Sequence, residues 1–226
     1  MRKVNGAVYL ETMVKKSKLS SVVFEADSSG RLTDRKRCAI VQAAVQEFQT
    51  RGFYAASMNG IADAASVSKR TLYNHFDSKE SLFDAIIDEL TLRSQRLPTT
   101  EFDPTRDLAE QLRELAEAEV GFITSDDVQA LARACMSRVL VEPEVGKQVD
   151  HRRFAIRIES FLEQAQASGC LTEMDIEFAA MQFLGLLRTF AFWPMILHGE
   201  APPTRKKREQ IVSSSVELFL SQYSAI

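Results

Sequence analysis

The stretch SVSKRTLYNHF, residues 66–76, narrows the folding options of this chain more than any other. Only Val67, Leu72 and Phe76 are purely apolar, and the last two stand at the i, i+4 spacing that shares one face of a helix. The remaining positions carry two cations, an amide, an imidazole and several hydroxyls. Such a helix buries one thin stripe and shows hydrogen-bonding chemistry everywhere else, so neighbouring helices must hold its pose.

Those neighbours are legible on both sides. Thr33 is suited to cap a first helix whose apolar positions Ile40, Val41, Ala44, Val45 and Phe48 follow the 3.6-residue period, with Gly52 as its stop. Ser57 is the next N-cap, opening a short helix with Met58, Ile61, Ala62 and Ala65 inward, and Ser66–Val67 make the turn. Asp77 followed by Glu80 reads as a capping box for a fourth helix with the stripe Leu82, Phe83, Ile86, Ile87 and Leu90, ending near Leu97–Pro98. Short helices joined by a tight turn between the second and third describe a helix-turn-helix unit.

Beyond Asp103 the helices lengthen, to about 104–123, 126–141, 144–168, 174–198 and 204–224, with Pro104, Pro143 and Pro202–Pro203 near their starts and Gly169 after one end. With only 9 Gly and 6 Pro and few alternating β-branched runs, the expected fold is all-α in two parts. A helix-turn-helix domain spans 31–79, helix 80–97 links it onward, and 98–226 form a larger helical domain. Residues 1–30 read as a mildly basic, mobile extension without the apolar core of a secretory signal. The apolar stretch Phe178–Leu197 has spanning length, but Gln182, Arg188 and Pro194 within it argue for a buried helix rather than a membrane partner.

Charge separates the two parts. Residues 31–79 hold eight Lys and Arg against four acids, net +4, whereas the other 177 residues hold 20 against 27, net −7. A small basic module on a larger acidic one suits double-stranded DNA as partner of the former. Cys38, Cys135 and Cys170 are widely spaced and unpaired in pattern, which fits a reducing cytoplasm and gives no metal or disulfide signal. His75, His151 and His198 lack the HExxH spacing, and no GxSxG, P-loop or GxGxxG occurs, so neither an enzyme nor a cofactor is expected.

In a helix-turn-helix the second helix of the pair enters the major groove with its N-terminal residues near base edges. Lys69 and Arg70, in the first turn, are placed to reach guanine O6 and N7, while Thr71, Tyr73, Asn74 and His75 can donate to phosphates or base edges. Lys79 adds a cation at the start of the next helix.

The segment AIVQAAVQEFQTRGFYAASMNGIADAASVSKRTLYNHFDSKESLFDAII resembles the DNA-binding domain of tetracycline-repressor-type (TetR family) regulators, most specifically through TLYNHF followed by SKE. The resemblance covers about fifty residues, roughly a fifth of the chain, and implies a homodimer of all-α subunits, each reading half of a palindromic operator. By position, Lys69, Arg70 and Tyr73 resemble base-reading residues. Ser57, Thr71, Asn74, His75 and Lys79 resemble phosphate contacts, and Ser68 completes the DNA-binding set. Two departures stand out: Ser66 occupies a turn position where glycine is usual, and Met58 one where a polar contact is common. A left-handed Ser66 would cost about 1 kcal/mol.

The larger part must be read from its residues. Phe122, Met136, Phe154, Phe161, Phe178, Met181 and Trp193 are large, adaptable apolar groups of the kind that line drug-sized pockets. Arg133 and Arg188 are polar candidates for orienting a small hydrophobic or aromatic effector, though Arg188 needs a carboxylate, a ligand anion or an exit to water. For the dimer interface, Ile211, Val212, Val216, Phe219, Leu220 and Tyr223 recur on one face of the last helix, with Phe190 on the helix before it. The expectation is a ligand-released repressor. The alternative keeps the DNA head but gives the body only dimerisation or partner docking.

Overall fold

The computed structural model describes residues 32–98 and 101–225; the N-terminal extension lies outside them. Among the described residues, eleven α-helices and one 3-10 turn follow in order: α1 Leu32–Ala55, α2 Met58–Ala64, α3 Lys69–His75, α4 Lys79–Gln95, α5 Leu108–Ile123, α6 Asp126–Val139, α7 Pro143–Gln148, the turn His151–Phe154, α8 Ile156–Ala167, α9 Ile176–Ala191, α10 Trp193–His198 and α11 Arg205–Tyr223. No extended sheet forms among the described residues; one isolated bridge, Leu171 to Ser224, pins the chain end beside the α8–α9 loop.

Most element boundaries follow local chemistry. Ser57 and Ser68 cap α2 and α3, each accepting at 3.0 Å from the backbone N–H three residues on. Thr33 lies inside α1 rather than at its cap. Gly52, at φ 76° and ψ 162°, interrupts the helical path where a stop was expected, and a short further turn through Ala55 follows across the kink. The capping box shifts by one residue: Ser78 and Ser81, not Asp77 and Glu80, exchange the two bonds at the start of α4. Phe76 leaves α3 extended (φ −145°, ψ 117°), and Ser78 rather than Asp77 reaches the cap position.

Two expected long helices break. The stretch 144–168 divides into α7, the 3-10 turn and α8, and 174–198 into α9 and α10 around Phe192. Pro194 lacks the N–H needed to continue α9, and its ring opens α10 as an N-terminal proline should. Ser66 is the one described non-glycine residue with positive φ, at 54°. Ser66→Gly should therefore stabilise the head by about 1 kcal/mol, read as a higher urea midpoint at unchanged slope.

The hydrophobic interior forms two clusters. The first joins α1–α4 through Ile40, Phe48, Ile61, Leu72, Phe83 and Ile86, and takes in Val128, Leu131 and Cys135 of α6. The second joins α5, α8, α9 and α11 through Leu112, Leu115, Phe161, Phe183, Leu187 and Val216. Helix α6 thus packs into the head while its sequence belongs to the body. Residues Ile176–His198 have the length and apolar composition of a membrane span. They are nonetheless broken at Phe192, and Ala179, Ala180, Phe183, Leu184 and Leu187 face the second core.

Candidate nucleic-acid interface and effector pocket

Helix α3 is held by its thin stripe: Leu72 is fully buried, Phe76 nearly so, and Val67 packs against the same cluster. Met58, one of the two departures in the head, also packs there and presents no polar group. The stripe leaves Lys69, Arg70, Tyr73 and Asn74 exposed, with Thr71 and His75 half-buried. Among the described residues, the side chains of Lys69, Arg70, Tyr73 and Asn74 take no hydrogen-bond or ionic partner. Ser68 and Thr71 are engaged at the cap, their hydroxyls 2.9 Å apart.

Lys79 has a structural task that sequence reasoning missed. Its ammonium donates to the carbonyls of Phe53 and Tyr54 at 2.8 and 3.0 Å and lies 5.0 Å from the Phe53 ring. Two of its three protons therefore serve the carbonyls that follow the Gly52 kink. Tyr54 in turn donates its hydroxyl to Glu142 at the start of α7, and this bond, ahead of Arg138, holds the Glu142 carboxyl below its ordinary range. Arg138 pairs with Glu142 at 3.3 Å and lies 4.3 and 4.8 Å from the rings of Phe53 and Phe83. Head and body are thus joined through α6 and α7 by cation–π contact and charged hydrogen bonds. Arg93 to Asp127 at 3.3 Å and Arg153 to Asp88 at 3.4 Å add two more links from α4.

The inner side of α6 faces a cavity of about 430 Å³. Six of the expected residues line it: Phe122, Met136, Phe154, Met181, Arg188 and Trp193. Three do not. Phe161 is fully buried in the second core, its ring edge-on to Phe102 at 5.5 Å; Phe178 is exposed on an outer groove; and Arg133 donates to the Met195 carbonyl at 3.1 Å. Small residues that size-based reasoning passes over, Ala132, Cys135 and Gly146, make the room. Burial pushes the Cys135 thiol well up, so it stays neutral and adds to an apolar wall.

Arg188 resolves as an ion pair. Its Nη2 meets Glu119 Oε1 at 3.1 Å, and Arg157 Nη1 approaches Glu119 Oε2 at 4.0 Å. Glu119 is 1% exposed, on the same stripe of α5 as Leu112, Leu115, Ala116 and Ile123. That acidic residue in an apolar period was the signal for a partner. Desolvation pulls the Arg157 guanidinium below its usual value, with Glu119 opposing.

The expected dimer residues divide as well. Ile211, Val212, Val216 and Phe219 are buried in the subunit's own second core, because this face of α11 packs on α5 and α9. Leu220 and Tyr223 are half-buried, and Phe190 is exposed. Outside that core, Phe178 and Phe190 of α9 and Leu218 of α11, each more than half exposed, border an open groove of about 830 Å³ over Gly185 and Thr189.

This arrangement has close parallels. Residues 40–86 match the family model of bacterial regulatory proteins of the tetR family, and residues 110–225 match that of the AefR-like transcriptional repressor C-terminal domain. A solved TetR family transcriptional regulator from Pseudomonas syringae pv. tomato str. DC3000 is 37% identical, with a TM-score of 0.76 over 85% of this chain and 99% of that one. The chain belongs to the TetR family of transcriptional regulators. It is a non-enzymatic regulator with an N-terminal helix-turn-helix DNA-binding domain and a helical C-terminal domain. The flavonoid-responsive regulator FrrA is 32% identical, with a TM-score of 0.66 over 84% of this chain and 97% of its own. The transcriptional activator FasR of Mycolicibacterium smegmatis is 36% identical over 120 residues, so the match spans about half the length of each protein.

Proposed function

We propose that this TetR-family regulator binds a palindromic operator as a homodimer, represses by occupying it, and is released by a small apolar or aromatic effector held in the 430 Å³ cavity. The observation that carries the DNA reading is the set of partner-free, exposed donors that α3 shows beyond its buried stripe. Lys69, Arg70 and Tyr73 read bases. Ser57, Ser68, Thr71, Asn74 and His75 contact backbone, with the remaining proton of Lys79. Repression accords with the AefR-like repressor model over the C-terminal half, and an aromatic effector with the name of FrrA.

Release runs through α6. Met136 and Val139 border the cavity, while Arg138 between them lies against Phe53 and Phe83 of the head. An effector that favours a shifted α6 thereby disfavours the spacing of the two α3 helices that matches successive major-groove faces, about 34 Å apart. Phe178, Phe190 and Leu218 form the self-complementary patch of a two-fold interface, since exposed apolar groups in such a contiguous groove seek cover. Phe190→Glu with Leu218→Glu should give a monomer by sedimentation velocity and at least a hundredfold loss of operator affinity.

The deciding experiment selects random-sequence duplex on the refolded, ligand-free protein and reads affinity at two salt concentrations. An enriched inverted repeat with steep salt dependence is expected, because a dimer neutralises several phosphates. A pool without enrichment overturns the proposal.

A further inference from the structure

Among the described residues, Arg188 is the only charged one lining the 430 Å³ cavity, whose walls are otherwise aliphatic, aromatic and thioether or thiol groups. Its guanidinium spends a single donor on protein, Nη2 to Glu119, and among the described residues Nε and Nη1 take no acceptor. The side chain is 23% exposed, so its free edge is accessible rather than sealed in the core. Glu119 cannot neutralise what surrounds it, because its one carboxylate is shared with Arg157. Arg157 itself is committed to the Pro98 carbonyl at 2.9 Å. Two guanidiniums and one carboxylate leave the trio with a net positive charge beside an apolar space.

We infer that the effector is an apolar or aromatic molecule bearing one anionic group, a carboxylate, sulfonate or acidic phenolate, seated against the free edge of Arg188. This rests on the reading of the cavity as an effector site. A neutral molecule without an acceptor strips water from Nε and Nη1 without replacing its hydrogen bonds, a neutral acceptor replaces them only weakly, and a cation meets uncompensated positive charge. An anion accepts from a planar fork built for it, in surroundings that strengthen the contact. The apolar walls then select for the rest of the molecule, so one charge on a hydrophobic body is the matching chemistry.

The test uses two fluorescent probes that differ by one group: anilinonaphthalene sulfonate and its sulfonate-free parent, N-phenylnaphthylamine. Both brighten on leaving water. Titrations are run on the full chain and on Ala132→Trp, which fills the cavity, so that signal surviving in that variant is assigned to other surfaces and subtracted. The anionic probe should bind at least tenfold tighter than the neutral one, and Arg188→Met should bring the ratio near one while neutral-probe affinity holds. If Arg188→Met does not fold by circular dichroism, Glu119→Gln with Arg188→Met removes both charges together and leaves an amide oxygen on α5 able to accept from Arg157. Equal affinities in the parent, or a ratio that survives loss of Arg188, overturn the anion inference alone. Signals that Ala132→Trp leaves untouched for both probes overturn the effector-site reading with it.

Discussion

Arg70→Ala should weaken binding to the selected operator by roughly 30- to 1,000-fold while leaving the fold intact. The side chain is exposed in the first turn of α3 and has no intramolecular partner among the described residues, so its loss removes nothing from the head's own stability. One guanidinium donating to guanine O6 and N7 is worth about 1–3 kcal/mol of base discrimination. A mobile, exposed arginine must first be ordered, which favours the lower part of that range. The proposed two-fold dimer counts the contact twice, giving about 2–4 kcal/mol. Anisotropy titrations against the operator and a scrambled duplex make the check. Loss confined to the operator supports base reading, equal loss on both marks a phosphate contact, and no loss sinks the assignment of α3 as the reading helix. Lys79→Ala is a poorer probe, because it also strands the Phe53 and Tyr54 carbonyls and should lower thermal stability along with affinity.

Glu119→Ala is expected to produce the largest stability loss of any single charge removal, about 3 kcal/mol. Its carboxylate is almost completely buried, with Arg188 at 3.1 Å and Arg157 at 4.0 Å. Breaking a buried pair from one side typically costs about 3–5 kcal/mol, because the charge left behind has neither water nor partner. Arg188 retains some solvent, which keeps the figure near the lower end. Removing charge from both sides by Glu119→Gln with Arg188→Met should cost less, about 1–2 kcal/mol, since Arg188 is no longer stranded and Arg157 keeps the Pro98 carbonyl. Urea unfolding of the three proteins at one fixed concentration decides it, since the proposed dimerisation would make midpoints depend on concentration. Equal losses in the single and double variants would mean that the pair contributes packing rather than charge balance.

Much of the head was readable residue by residue. The cap Ser57 and the inward stripe of α1 rest on chemistry within a few positions of each other, whereas the left-handed turn at Ser66 was legible only through the family resemblance and the capping role of Ser68 only in the structure. The box at the start of α4 came out one residue early, because Asp77 and Ser78 both carry a capping oxygen and the path of the chain out of Phe76 chose between them. In the body, the break between α7 and α8 carried no glycine or proline to announce it. It arises where the chain turns so that Phe154 reaches the cavity and Arg153 reaches Asp88 of α4. The cavity itself was half legible: its large walls declared themselves, while Ala132, Cys135 and Gly146 mark it by what they lack.

The sequence by itself determined an all-α chain with a basic three-helix head and a donor-rich α3, because helical period, capping and charge are local properties. Only the tertiary structure decided which face of α11 turns inward, that Glu119 is the partner of Arg188, and that Lys79 is tied to the end of α1. Each of these is a meeting of groups far apart in sequence, 26 residues for Lys79 with Phe53 and 69 for Arg188 with Glu119. Periodicity identifies a face as apolar, but whether that face meets its own core or water depends on how helices distant in sequence pack around it.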